Sequence, residues 1–87
     1  MSKVIVHNHA VKYLKRLPKE TREQIKEILK QLENKPLEHS SIKQMYGEWA
    51  GYHRIRTGKF RIIFWYDPRN DIVYVDHIGP RGDVYKS

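Results

Sequence analysis

With 17 Lys+Arg against 10 Asp+Glu, a formal net charge of +7 and a pI near 9.8, this 87-residue chain has room for one domain, residues 1–87, with one modest core, and its charge favours a polyanionic partner. It has no cysteine, which excludes disulfides and thiolate metal sites, and it shows neither a signal-peptide segment nor an apolar run near the roughly 20 residues of a membrane span. A cytoplasmic location without a membrane partner is expected, and the spread of basic residues along the chain favours nucleic acid or an acidic protein over a lipid surface.

Lys3 to His7 is short, β-branched and alternating, which predicts a strand. Asn8 is the expected cap of a short helix whose inner face is Ala10, Leu14 and Leu17. Pro18 fits a first helical turn but not a helix interior, so a second helix is predicted over residues 19–33. Ile25, Ile28, Leu29 and Leu32 give that helix one apolar stripe, and its other faces are charged. Asn34 and Pro36 end it. A polar connection leads to a strand beginning at Ile42, which Gly47, Ala50 and Gly51 break.

Tyr52 to Tyr66 reads as a β-hairpin turning at Thr57, Gly58 and Lys59. On the first arm Ile55 points one way and Arg54 and Arg56 the other. On the second arm Phe60, Ile62 and Phe64 share a face, with Arg61 on the opposite one. If the apolar face meets the core, Arg54, Arg56 and Arg61 project together on the open side. Like charges so placed repel, an arrangement that suits a site built for an anion. Residues 67–71 form a turn by composition, Ile72 to Ile78 a last strand, and residues 79–83 a glycine-flanked bend. The predicted order is β-α-α-β-β-β, an α+β fold with an antiparallel sheet from the late strands, the first strand added, and the helix pair on one face.

The five histidines show no zinc-like spacing, so no metal and no cofactor are expected. Strict alternation puts Asp76 and His77 on opposite faces and favours a packed role for His77. His53 shares the parity of Ile55 and is also expected to pack.

The sequence resembles the RelE family of the RelE/ParE toxin superfamily. The resemblance covers nearly the whole chain: the Leu17-Pro18 break, the helix end from Leu32 to Pro36, the hairpin YHRIRTGKFRIIF at residues 52–64, and the closing IGPRGDVY at residues 78–85. The hairpin is characteristic of the superfamily, and the closing Arg81 and Tyr85 of its nuclease branch. The resemblance implies a type II toxin that cleaves messenger RNA in the ribosomal decoding site without a metal. It assigns catalytic roles to Arg61, Arg81 and Tyr85 and RNA binding to Arg54 and Arg56. It implies a RelB-like antitoxin, with the ribosome and messenger RNA as further partners, a monomeric free form and a higher-order toxin–antitoxin complex.

The chemistry of these residues suits that role. Arginine offers a planar fork of donors to phosphate oxygens but is a poor proton carrier, since its pKa exceeds about 12. The first-arm positions are lysines in some relatives, which sharpens the need for another proton carrier here. Tyr85 is a candidate to stack on a base or to take the 2′-hydroxyl proton. Two other readings remain at this stage: a ParE-like inhibitor of DNA gyrase without enzymatic activity, and a basic nucleic-acid-binding module without cleavage.

Overall fold

The computed structural model describes residues 2–38, 42–57 and 60–80. Strand β1 (Lys3–Val6) leads into helices α1 (Asn8–Lys15) and α2 (Lys19–Asn34), and strands β2 (Ile42–Gln44), β3 (His53–Thr57), β4 (Phe60–Asp67) and β5 (Ile72–Pro80) follow. The sheet order is β1-β5-β4-β3-β2. Among the described residues, four strands follow the helices rather than the three of the predicted order, because the strand at Ile42 pairs with β3 in addition to the hairpin arms and the last strand. Strands β2 to β5 are antiparallel, whereas β1 pairs parallel with β5, so the sheet is mixed.

The helix break falls where Pro18 predicts it. Pro18 itself is the N-cap of α2, in extended conformation at φ −57° and ψ 151°. The cap of α1 differs from expectation: His7, not Asn8, holds that position, and its Nδ1 accepts the backbone N–H of His9 at 3.3 Å. An imidazole nitrogen thus does the work expected of the Asn8 side chain, because the strand runs on to Val6 and His7 is the residue that stays extended. The last strand also runs further than predicted, through Gly79 and Pro80, because both remain paired across to Arg61 and Phe60.

One face of the sheet carries the core. Ile55, Phe60, Ile62, Phe64, Val73, Val75 and Ile78 are buried there against Ala10 of α1 and Ile25, Ile28 and Leu32 of α2. Val4, Val6, Leu14, Leu17 and Ile42 pack around them. Burying each large aliphatic side chain is worth about 1.5–3 kcal/mol, so this face dominates stability.

The turn between β4 and β5 is tied to the chain start. Asp67 Oδ1 accepts the backbone N–H of Arg69 at 3.0 Å, and its Oδ2 accepts Asn70 Nδ2 at 2.8 Å. Asp71 takes φ +55°, a left-handed conformation that Asp tolerates better than most residues. Its Oδ1 accepts the hydroxyls of Ser2 and Tyr66, each at 2.6 Å. The Ser2 bond first, then the Tyr66 bond, holds the Asp71 carboxyl below its ordinary pKa. The same bond from Tyr66 is the main reason that its phenol is pushed up.

Candidate nucleic-acid interface

The helices leave the other face of the sheet uncovered by the core cluster, and the register fixes what lies on it. Arg56 and Arg61 are direct cross-strand partners, which sets their β-carbons about 4.5–5.5 Å apart. Arg54 pairs with Ile63 on one side and with Lys43 on the other. Arg54 and Arg61 are therefore diagonal neighbours, and the hairpin gathers its arginines as the alternation predicts. Arg54 and Arg61 are half-buried and Arg56 is exposed. The Nε of Arg61 is screened from solvent. Lys43 adds a fourth cation that the sequence reading passed over. The parity of Ile42, packed against the core, was the signal for it.

Ile63 explains why these arginines are only partly exposed. It is fully buried yet lies outside the helix-side cluster, with the parity of Arg61 and Trp65. Side chains of the open face must close over it, and arginine stems are well suited to cover apolar surface while keeping their charged ends in water.

Further along the same face the side chains turn aromatic. Ile5 and Tyr74 are register partners on β1 and β5, and Tyr74 pairs with Trp65 on β4. The Trp65 and Tyr74 rings stack at 4.4 Å with an interplanar angle of 16°. At the β3 end Trp49 and Tyr52 meet edge to face at 5.1 Å. The face is cationic near the hairpin turn and aromatic at its other end, and each half matches one part of a nucleotide, the phosphate or the base.

Between these halves the structure corrects the sequence reading. The β4–β5 register slips between Ile63 and Phe64: Ile63 pairs with His77, but Phe64 pairs with Val75. Asp76 is the extra residue of a β-bulge. Val75 and Ile78 both face the helix-side core, with Asp76 and His77 between them. Both polar residues therefore turn to the open side. Asp76 lies close enough to Tyr52 for its charge to help raise the Tyr52 pKa, after the larger effect of burial. His77 is placed beside His9, their ring centroids 6.2 Å apart, and His9 lies 4.1 Å from His7. The alternation that separates Asp76 from His77 on paper fails because a bulge resets it.

His53 behaves as its parity predicts. Its ring stacks on Phe64 at 5.6 Å, and burial lowers its pKa, favouring the neutral imidazole. Among the described residues, no group of three or more His, Cys, Asp or Glu is arranged to hold a metal ion. Arg81 and Tyr85, and the hairpin-turn residues Gly58 and Lys59, lie outside the described residues.

The sequence pattern of the ParE toxin of type II toxin–antitoxin systems, parDE, matches residues 4–85. The chain belongs to the ParE toxin family. The fold of this toxin is shared by solved relatives. The archaeal RelE–RelB complex from Pyrococcus horikoshii OT3 superposes with a TM-score of 0.82 at 25% identity, over 95% of this chain and 98% of that one. The RelBE2 toxin–antitoxin complex from Mycobacterium tuberculosis gives 0.80 at 23% identity, over 92% and 98%. The YoeB/ParE toxin from Agrobacterium tumefaciens gives 0.77 at 15% identity, over 91% and 98%. No curated protein sequence matches the chain. Among the described residues, the toxin has no helix long and apolar enough to cross a membrane.

Proposed function

We propose that the toxin is a ribosome-dependent endoribonuclease that cuts messenger RNA by attack of the RNA's own 2′-hydroxyl on the adjacent phosphate. The observation that carries this reading is the convergence of Arg54, Arg56 and Arg61 on the sheet face that the helices leave open. Three cations on neighbouring positions suit a polyanion, and a phosphodiester in mid-reaction gathers the most negative charge. Arg61 stabilises that charge, at roughly 3–4 kcal/mol for such a donor. Arg54 and Arg56 hold the flanking phosphates. Arg81 and Tyr85 take their roles from the family resemblance: Arg81 as a second phosphate clamp, Tyr85 as the group that stacks on a base and receives the 2′-hydroxyl proton. The nucleophile belongs to the RNA, so the toxin need not supply one.

The partners follow from the same reading. A RelB-like antitoxin neutralises the basic face, as the relatives solved as complexes with antitoxins suggest by analogy. The deciding experiment is primer extension on messenger RNA in programmed ribosomes, with and without the toxin. Cuts on ribosome-bound message and none on free message are expected. The match to the ParE family pattern favours one competing reading, inhibition of DNA gyrase without cleavage. Intact message together with blocked supercoiling by purified gyrase would select that alternative.

A further inference from the structure

Cleavage by 2′-hydroxyl attack moves two protons. One leaves the attacking oxygen, and the other must reach the departing 5′-oxygen, which as an alkoxide is a poor leaving group. Arg54, Arg56 and Arg61 cannot supply it readily, because guanidinium holds its protons with a pKa above about 12. Resting on the ribonuclease reading, we propose that His77 is the general acid that protonates the 5′-oxygen.

The bulge makes this possible. With an unbroken pleat, Val75 and Ile78 could not both face the core, and one of the intervening polar residues would be driven into it. The inserted Asp76 lets both apolar residues pack and turns His77 outward, opposite Ile63. Bulges re-aim side chains in this way beside functional sites. Arg61 lies two positions along β4 from Ile63, so His77 and Arg61 are diagonal neighbours, with α-carbons about 7–8 Å apart. That gap is spanned by a phosphoryl group gripped by one residue and touched by the other. Arg54 lies across Ile63 on the opposite side. His77 thus occupies the same row of the sheet as the phosphate-binding residues, with its ring 6.2 Å from that of His9.

Other proton carriers on this face fit less well. Tyr52 is made a weaker acid by burial and by the nearby charge of Asp76. Tyr74 lies beyond Ile63 from Arg61. Imidazole is the side chain whose ordinary pKa lies near neutrality, where proton donation and recovery are both fast enough for turnover.

In the step itself, the 2′-oxygen bonds to phosphorus as its proton passes to Tyr85 in the phenolate form, which afterwards returns that proton to water. The bond from phosphorus to the 5′-oxygen breaks, and its electron pair stays on that oxygen. The protonated imidazole of His77 gives its proton there. The products are a 2′,3′-cyclic phosphate and a 5′-hydroxyl, and His77 recovers its proton from water.

The test is single-turnover cleavage of ribosome-bound message by the intact toxin, with either oxygen or sulfur at the bridging 5′ position of the scissile phosphate. A thiolate departs without being protonated. His77→Gln is expected to slow the oxygen substrate by roughly 10²–10⁴-fold and the sulfur substrate by less than about tenfold. Equal losses on both substrates would reduce His77 to a positioning residue and overturn the proposal, as would a wild-type rate on oxygen. Wild-type toxin that cuts neither substrate removes the ribonuclease reading itself and the proposal with it. Unfolding temperatures are measured alongside, and His77→Asn carries the same comparison if His77→Gln does not fold.

Discussion

Arg61 and Ile62 are consecutive on β4 and face opposite ways, so alanine at each position separates function from folding. Ile62 is fully buried and pairs with Ile55 and Ile78, themselves buried, across both neighbouring strands. Ile62→Ala removes three carbons from this packed layer. At about 0.8 kcal/mol per buried methylene the transfer loss is roughly 2.4 kcal/mol. The cavity left behind brings the total to about 3 kcal/mol, within the range seen for such truncations. In a domain of this size that lowers Tm by roughly 12–24 °C. Arg61→Ala removes a half-buried charge and part of the cover over Ile63. Its net cost should stay within about 1 kcal/mol, a Tm change of roughly 4–8 °C at most. Cleavage of ribosome-bound message should nevertheless fall by about 10²–10³-fold. Thermal melts by circular dichroism and single-turnover cleavage check both arms. A Tm loss for Arg61→Ala equal to that of Ile62→Ala would show that Arg61 is structural and refute the face assignment.

Affinity for ribosomes should fall steeply with salt, and Arg54→Ala and Arg56→Ala should each reduce the slope of log affinity against log salt by roughly one unit or slightly less. Unchanged slopes would place these arginines away from the RNA. Tyr85→Phe should keep stacking, worth about 1–3 kcal/mol, yet slow cleavage by roughly 10²–10⁴-fold. Wild-type rates from both Tyr85→Phe and Tyr85→Ala would remove Tyr85 from the site. The β4–β5 turn sets a pH window. Asp67 and Asp71 have depressed folded pKa values, so their contribution is present above the ordinary carboxylate pKa of about 3.9 and is lost as pH falls through the folded values. Tyr66 has a raised pKa, so its contribution is present below about 10 and is lost as pH rises through the folded value. Asp71→Ala should flatten the acid limb of the melting temperature against pH, and an unaltered limb would show that the Ser2 and Tyr66 bonds to Asp71 do not stabilise the fold.

The sequence by itself determined the elements and most of their faces. Period-2 alternation in residues 52–66 set Ile55, Phe60, Ile62 and Phe64 against the core and Arg54, Arg56 and Arg61 on the other side. Pro18 and the stripe from Ile25 to Leu32 set the helices, because each is a local signal written within a few turns of chain. Arg81 and Tyr85 were legible only as motif and lie outside the described residues.

Tertiary structure decided what depends on pairing between distant segments. Strand β1 joins β5 in parallel, more than sixty residues away in sequence, and no local pattern records that choice. The same holds for the stack of Trp65 on Tyr74 and for Lys43 beside Arg54, which arise only once the strands are in register. The bulge at Asp76 is the sharpest case. Alternation assumes one residue opposite one residue, and it predicted opposite faces for Asp76 and His77. Val75 and Ile78 both contribute to the core, and the chain satisfies both only by inserting an extra residue against β4. Burial of two apolar side chains outweighs one disrupted pairing, and His77 is set opposite Ile63, its ring beside His9, as a result.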